Sequence, residues 1–284
     1  APRPPVAARP RELPVTAVET LIRDPYAVYA RYVLNLRALE PIGRAPDARD
    51  MGNALHAAME AFADAADGIG PDAPALRAAL LDATRRTLDD KVPSAALRRL
   101  WMKRIERAAD WFADTEAKRR EHAPRILAER RGARDLTAPA GRFRLTARAD
   151  RIDLRGDGTI AIYDYKTGAP PTRPQQKAFA KQLTLSAEIA RAGGFADVPA
   201  REVAEIAYLG LTGSGVGGKV QPVDNAPETL DEAWRDLIAL ISAYDVADQP
   251  YPARMRPKHL KYSGDYDHLS RFGEWGDAGE EDGE

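Results

Sequence analysis

The chain has 284 residues, with 42 lysines and arginines, 43 aspartates and glutamates, and no cysteine. This length is enough for one large domain or two small ones, and the missing cysteines exclude disulfides, thiolate metal sites, cysteine-bound iron–sulfur clusters and cysteine nucleophiles. A net charge of −1 argues against binding of nucleic acid by bulk charge alone. No stretch has the length of a membrane helix or the pattern of a signal peptide, so a cytoplasmic location without a membrane partner is expected.

Both ends of the chain have the composition of solvated segments. Residues 1–14 contain five prolines, which predicts an extended linker, and the start at Ala1 suggests a domain cut from a longer protein. Residues 251–284 form a C-terminal segment. Its last 12 residues, from 273 onward, include six acidic residues and no basic one, which predicts an acidic, solvated tail.

A helical subdomain is predicted over residues 15–123. Capping signals at Thr16 and Asp24 mark two helix starts. Apolar residues recur three and four positions apart between 49 and 66, which indicates an amphipathic helix. Further helices are predicted over about 73–90 and after Pro93.

The periodicity changes to that of strands after Pro124. The order of predicted elements is three strands, a helix, two strands and a helix, which indicates an α/β or α+β class with one mixed sheet. The predicted strands are 126–130, 143–154, 159–166, 203–211 and 219–224, and the helices are 174–192 and 227–246.

The glycines at 156 and 158 predict a hairpin turn centred on residue 157. If the hairpin is symmetric, Asp150 and Asp164 face each other with Cβ atoms about 5 Å apart. Like charges in that position are destabilising, and a divalent metal with oxygen ligands is the simplest compensation. The alternation of side chains then places Lys166 on the same face as Asp164, and Tyr165 on the other.

The apolar pattern of the first hairpin strand changes its register. Apolar residues occupy odd positions up to Ala149 and even positions from Ile152, which predicts a β-bulge near 149–151. Such a bulge would shift the facing pair by one residue, so the opposition of Asp150 and Asp164 is a hypothesis. An ordinary surface hairpin with an Asp–Lys ion pair is the alternative.

This arrangement suits metal-assisted hydrolysis of phosphodiesters. Asp150 and Asp164 would hold Mg²⁺, with the carbonyl of Tyr165 as a further ligand. Lys166 would orient the attacking water and offset the charge of the transition state.

The segments around these residues resemble the RecB-like branch of the PD-(D/E)XK nucleases. The matching residues are Asp150-Arg151-Ile152-Asp153, Ile162-Tyr163-Asp164-Tyr165-Lys166-Thr167-Gly168, Gly52-Asn53-Ala54-Leu55-His56 and Lys181-Gln182-Leu183. The resemblance implies a restriction-endonuclease-like mixed sheet flanked by helices, with the nuclease core at 124–250. It also implies that His56 joins the metal ligands, that Gln182 joins the catalytic set, and that Mg²⁺ or Mn²⁺ is the cofactor.

The ends of the chain resemble those of the nuclease domain of AddB in its alphaproteobacterial form, over about residues 14–276. Leu21 to Tyr26 and Gly264 to Leu269 carry this likeness. It implies an exonuclease within a bacterial helicase–nuclease that repairs double-strand breaks by recombination. A partner subunit would hydrolyse ATP and deliver single-stranded DNA from a duplex end.

The sequence departs from this family at several positions. Ser186 replaces the tyrosine of the glutamine motif, and Asp24 stands where many relatives have the first cysteine of an iron–sulfur cluster. Packing of Tyr26, Tyr262 and Tyr266 is a hypothesis for how the ends are joined instead.

Several residues keep two interpretations. Glu129 either supports the site or is a charge at a strand edge, and Glu60 is an outer candidate. The basic residues of 98–107 either line a DNA groove or form a solvated helix. The glycines of 213–219 lack the Ser/Thr and the following helix of a phosphate-binding loop, so no ATP site is predicted. A catalytically silent DNA-binding module and a free-standing nuclease are the alternative functions.

Overall fold

One mixed sheet of six strands forms the centre of the molecule. The computed structural model describes residues 1–39, 44, 46–211, 217–255 and 264–272. The strands are β1 (Glu12–Pro14), β2 (Arg125–Ala138), β3 (Gly141–Leu154), β4 (Ile160–Lys166), β5 (Val203–Gly210) and β6 (Lys219–Val223). Their order is β1-β3-β4-β5-β6, with β2 paired to β3.

Helices cover both faces of this sheet. They are α1 (Val15–Arg23), α2 (Pro25–Val28), α3 (Ala48–Ala65), α4 (Ala73–Lys91), α5 (Ala95–Arg120), α6 (Arg173–Ala178), α7 (Gln182–Arg191), α8 (Pro227–Tyr244) and α9 (Asp267–Ser270). A π-helical turn, Tyr29–Val33, continues α2. Apolar residues of α1, α7 and α8 form one core with the sheet, and those of α3, α4 and α5 form a second core on the opposite face. The predicted class, an α/β fold with a mixed sheet flanked by helices, is confirmed.

The strand directions place the hairpin at the centre of the sheet. β2 runs antiparallel along one edge of β3, while β1 and β4 share the other edge. β4 and β5 are parallel, and β6 returns antiparallel to β5. The carboxyl end of β4 therefore lies in the interior of the sheet, beside β3 and β5. The predicted boundaries at 123/124 and 250/251 remain predictions.

Two predicted elements differ from the structure. The helix predicted over 174–192 is divided into α6 and α7, because Phe179 leaves the helical region with φ of −158°. This break makes Gln182 the first residue of α7. The strand predicted to end at Arg130 continues to Ala138, because residues 130–138 go on pairing with β3.

The extended linker predicted for residues 1–14 is packed against the fold. Glu12, Leu13 and Pro14 form β1, parallel to β3. The Arg9 side chain is 4% exposed and donates hydrogen bonds to the carbonyl oxygens of Tyr244 at 2.6 Å and Ala247 at 2.7 Å. It also donates to those of Pro4 and Val246. The carbonyls of Tyr244, Val246 and Ala247 lie at and after the end of α8, where helix carbonyls lack intrahelical donors, and Arg9 donates to them.

Replacement of Arg9 by Ala is expected to lower the free energy of unfolding by about 2–4 kcal/mol, because several buried carbonyls lose a charged donor. Urea unfolding measures this change. Arg3→Ala is the matched control, since Arg3 makes one exposed hydrogen bond to the carbonyl of Asp248. Equal stability of the two variants would show that residues 1–14 do not hold this position in solution.

Hydrogen bonds join the start of α2 to the region after α8, which contains an ion pair of its own. Arg254 donates from Nε to Asp267 Oδ1 at 2.8 Å, and its backbone N–H donates to Asp24 Oδ1 at 3.1 Å. The Tyr266 hydroxyl donates to the carbonyl of Leu36 at 3.0 Å. Of the three tyrosines predicted to join the ends, Tyr262 lies outside the described residues. Among the described residues, no helix is both long and apolar enough to cross a membrane.

Candidate metal centre

The register of the β3–β4 hairpin brings the two aspartates together. The ladder pairs Leu154 with Ile160 and continues to Arg151 and Tyr163. Asp150 and Asp164 are the next residues on the two strands, as symmetry about residue 157 predicts. The ladder stops there, and Asp150 Oδ2 instead accepts a hydrogen bond from the backbone N–H of Tyr165 at 2.9 Å.

An irregularity in both β2 and β3 directs two carboxylates to the α3 face. The ladder pairs Ala128 with Arg151 and Arg130 with Ala149, but Glu129 and Asp150 between them are not paired. Glu129 has a φ of 51°, in the left-handed region that non-glycine residues adopt at a cost. Each strand has one unpaired residue at this point, Glu129 on β2 and Asp150 on β3. The pairing of the two strands therefore resumes without a net shift in register.

Side chains from three elements converge at this irregularity. Within the described part of the chain, His56, Glu129 and Asp150 form a group in which one ligand atom of each lies within 4.8 Å of the others. His56 Nδ1 on α3 is 3.2 Å from Asp150 Oδ2. Glu129 also forms an ion pair with Arg148. One imidazole and two carboxylates are a donor set that fits Mn²⁺, and the carboxylates fit Mg²⁺.

A second group of predicted site residues lies beside this cluster. Lys166 Nζ is 2.6 Å from Asp164 Oδ2, so the two side chains share a face as predicted. Gln182 Nε2, at the start of α7, donates to Asp164 Oδ1 at 3.0 Å. The Tyr165 side chain is buried on the opposite face, in the core beneath α5. The sheet end thus brings Asp164, Lys166 and Gln182 together.

The electrostatics of the site favour a bound cation. Burial, and then the charge of Asp150, raise the pKa of Asp164 to about 6. Burial followed by the charge of Asp150 also raises the pKa of Glu129. The hydrogen bond to Asp150 is the main cause that raises the pKa of His56. Burial is the largest cause for the two carboxyl groups, and the negative charge of Asp150 contributes to all three shifts. A divalent ion would offset that charge.

A cavity of about 740 Å³ opens onto the cluster. Its walls come from α3, the turn between α4 and α5, and the β2–β3 pair. The lining includes all three members of the cluster together with Glu60, Arg148 and Trp101. Substrate in this cavity would reach His56, Glu129 and Asp150 directly.

Glu129 is the residue that sequence reasoning undervalued. The sequence supports a role in the site and a charge at a strand edge equally for this residue. The pairing of Ala138 with Gly141 shows a tight turn, and counting back from it places Glu129 opposite Asp150. A turn signal in Pro139-Ala140-Gly141 was therefore the available clue.

Other candidates are less favoured by their contacts. In the basic segment 98–107, Arg98 pairs with Asp89 at 3.3 Å and Lys103 with Glu106 at 2.6 Å, as in a solvated helix. Residues 213–216 of the glycine-rich segment lie outside the described residues. The strand β6 begins at Lys219, where a phosphate-binding loop would need a helix.

Comparison with known proteins gives a family and distant relatives. The family model of the PD-(D/E)XK nuclease superfamily matches residues 12–258. An uncharacterized protein of Rickettsia bellii is 26% identical over 250 residues, which are 83% of this chain and 30% of that protein. One of Rickettsia conorii is 24% identical over 287 residues, which are 92% of this chain and 34% of that protein. The chain thus spans about a third of the length of these relatives.

Among solved structures, the crystal structure of SSO0001 aligns with a TM-score of 0.34 and 14% identity, over 81% of this chain and 76% of that one. The match to the family model runs from β1 past the end of α8 and includes every residue of the metal cluster. This family agrees with the mixed sheet of the structure and with the acidic residues Asp150 and Asp164 at the end of its central hairpin. Because the family model matches residues 12–258, the chain belongs to the PD-(D/E)XK nuclease superfamily.

Proposed function

We propose that this domain is a metal-dependent nuclease that hydrolyses phosphodiester bonds of single-stranded DNA. The observation that carries the proposal is the cluster of three ligand atoms beside Lys166 and the buried Asp164, in a member of a nuclease superfamily. When bound, Mg²⁺ or Mn²⁺ would polarise the scissile phosphate and lower the pKa of a water. Asp150, His56 and Glu129 would hold the ion.

Asp164 and the carbonyl of Tyr165 are proposed as further ligands. The Tyr165 N–H donates to Asp150, and the N–H and C=O of a strand residue point to the same side. We therefore expect the Tyr165 carbonyl to face the gap between β3 and β4. Asp164 precedes Tyr165 on β4, and the charge of Asp150 contributes to its raised pKa.

Lys166 and Gln182 are proposed to act on the reacting groups and on Asp164. The ammonium of Lys166, held by Asp164, would orient the attacking water and offset the charge that develops on the phosphate. Gln182 fixes Asp164 through its amide, which leaves Oδ2 to Lys166. Each group is held by another before substrate binds, so little reorganisation is needed.

We further propose that the domain is an exonuclease of a helicase–nuclease that repairs double-strand breaks. The support is the resemblance of its end motifs to the AddB nuclease domain. A partner would supply ATP hydrolysis and feed single strands to the site. A silent DNA-binding module and a free-standing nuclease are the alternatives that experiment separates.

Cleavage of end-labelled single-stranded DNA with Mg²⁺ or Mn²⁺ tests the proposed activity. The wild type is compared with Lys166→Ala and with Lys118→Ala, whose lysine is exposed on α5. We expect cleavage to fall about 10²–10³-fold in Lys166→Ala only. Equal cleavage by all three proteins would refute the site. Binding without cleavage, even with a helicase partner present, would favour the silent module.

Replacement of Glu129 by Gln is expected to weaken Mn²⁺ binding by about 10–100-fold, because a charged member of the donor cluster becomes neutral. Isothermal titration calorimetry without DNA measures the affinity. Glu60→Gln is the control, since Glu60 lines the same cavity but lies outside the cluster. Unchanged affinity in Glu129→Gln would remove Glu129 from the ligand set.

A further inference from the structure

One face of the β2–β3 hairpin carries a row of arginines that ends at the metal cluster. The odd-numbered residues of β3 from 143 to 149 are buried in the core, so the even-numbered residues face the other way. β2 contributes Arg131, directly opposite Arg148. The arginines of this surface, here called the arginine face, are Arg131, Arg142, Arg144 and Arg148.

These side chains are exposed. The side chains of Arg142, Arg144 and Arg148 are 65%, 44% and 56% exposed. The carboxylates that pair with Arg142 and Arg144 are Asp135, at 2.6 and 3.5 Å, and Glu12, at 3.9 Å from Arg144. Exposed pairs of this kind contribute little, so an anionic ligand can replace them.

The arginine face carries an excess of positive charge. Against its four guanidinium groups stand two carboxylates, Asp135 and Glu12, which pair with Arg142 and Arg144. Glu129, which pairs with Arg148, belongs to the metal cluster. The net charge of the whole chain is −1, so this local excess is a property of one surface.

The geometry of a strand suits an extended polyanion. Alternate residues of a strand are about 6.7 Å apart, so positions 144 to 150 of β3 span about 20 Å. This repeat is comparable to the distance between successive phosphates of an extended single strand. Arginine forms bidentate hydrogen bonds with phosphate. Thr146 lies between Arg144 and Arg148 in the same row and offers a hydroxyl.

We propose that the arginine face binds the backbone of single-stranded DNA and guides it to or from the metal cluster. The inference rests on the proposed function for the identity of the ligand and adds where the strand lies. Arg148 lines the cavity of the cluster, so the row is continuous with the site. About three nucleotides would contact the hairpin beyond the scissile phosphate.

Binding of a fluorescent 20-nucleotide single strand tests the proposal. Measurement in EDTA removes any contribution from cleavage. In Arg142→Gln/Arg144→Gln, the affinity should fall about tenfold at moderate salt, and the slope of log K against log salt should fall by about 1.4, or about 0.7 for each lost contact. The gain in affinity from lengthening the oligonucleotide from 4 to 20 residues should also shrink.

The matched control is Arg201→Gln/Arg235→Gln, which removes the same charge elsewhere. Arg201 precedes β5 at the end of the sheet opposite Lys166, and Arg235 is exposed on α8, which packs on the other face. Equal losses in the two double variants would attribute binding to bulk charge and overturn the proposal. Unchanged binding in Arg142→Gln/Arg144→Gln would overturn it as well.

This experiment separates the inference from the proposed nuclease activity. If binding weakens in Arg142→Gln/Arg144→Gln but not in the control double variant, the result supports the arginine face. This holds even if the wild type cleaves no DNA with metal. Cleavage by the wild type combined with unaltered binding in this variant refutes the arginine face and leaves the nuclease activity intact. Urea unfolding confirms that each variant is folded during the measurement.

Discussion

Replacement of Asp164 by Asn is expected to reduce cleavage of single-stranded DNA by at least about 10²–10³-fold and yet to stabilise the metal-free domain at pH 8. Activity falls because Asn cannot hold Lys166 through charge or serve as an anionic ligand. Stability rises because Asp164 is 4% exposed and lies beside Asp150. Asn can still accept the hydrogen bond from Gln182.

The sign of the pH dependence follows from the raised pKa. The pKa of Asp164 is raised from 3.8 to about 6, mainly by burial. Its contribution to stability is therefore fully present below about pH 4 and is lost as the pH rises through about 6. Two pKa units correspond to about 3 kcal/mol, which is the upper limit expected for the loss.

Urea unfolding in EDTA at pH 5 and pH 8 measures this effect. The difference between the two pH values should be smaller in Asp164→Asn than in the wild type. Asp114→Asn is the control, because Asp114 is exposed on α5. The same pH dependence in Asp164→Asn and the wild type would contradict the assignment of this change in stability to Asp164.

Replacement of Arg151 by Met should lower the free energy of unfolding by about 3–5 kcal/mol. The guanidinium is 2% exposed and bonds Asp153 with Nε at 2.6 Å and Nη2 at 2.9 Å. Its Nη1 pairs with Glu116, which is 0% exposed. Met would leave Asp153 without its bonded counter-charge in the interior, and Glu116 with one cation fewer.

This buried network also connects the elements that carry the proposed metal ligands. Arg151 follows Asp150 on β3, and Glu116 of α5 pairs in turn with Arg120 at 2.8 Å. Arg120 donates to the carbonyl oxygens of Ala66 and Ile69, at and after the end of α3, both at 2.8 Å. The network thus links the strand of Asp150 to the helix of His56.

The expected loss is measured by urea unfolding at pH 7. Arg77→Met is the control, because Arg77 and Asp110 form an exposed pair that should contribute less than about 1 kcal/mol. The triple variant Glu116→Gln/Arg151→Met/Asp153→Asn should recover much of the loss, since it leaves fewer unpaired charges inside. A loss below about 1 kcal/mol in Arg151→Met would show that the network is not buried in solution.

Local signals were sufficient for the hairpin that carries the site. Gly156 and Gly158 set a turn, and a tight turn fixes the register of its strands. The placement of Asp150 and Asp164 at the same end of the hairpin, and the shared face of Asp164 and Lys166, therefore follow from counting along the sequence. The amphipathic pattern likewise placed His56 on a helix, because its period depends only on neighbouring residues.

Contacts between distant segments were not accessible in this way. β1 contains only three residues and one is Pro14, so nothing in its sequence indicates pairing with β3, 130 residues later. The division of the helix at Phe179 was also missed, although it places Gln182 against Asp164. Arg151 and Asp153 were matched as part of a motif, but their burial with Glu116 depends on how α5 packs.

The sequence by itself determined the mixed α/β class, the hairpin register and the identity of the acidic and basic side chains at its end. Only the tertiary structure decided that His56, Glu129 and Asp150 share one cluster, because three separate elements must pack to bring their atoms within 4.8 Å. Hydrogen bonds within a hairpin join residues that are close in sequence. The position of α3 over the sheet instead depends on which apolar and charged side chains of distant segments are buried together.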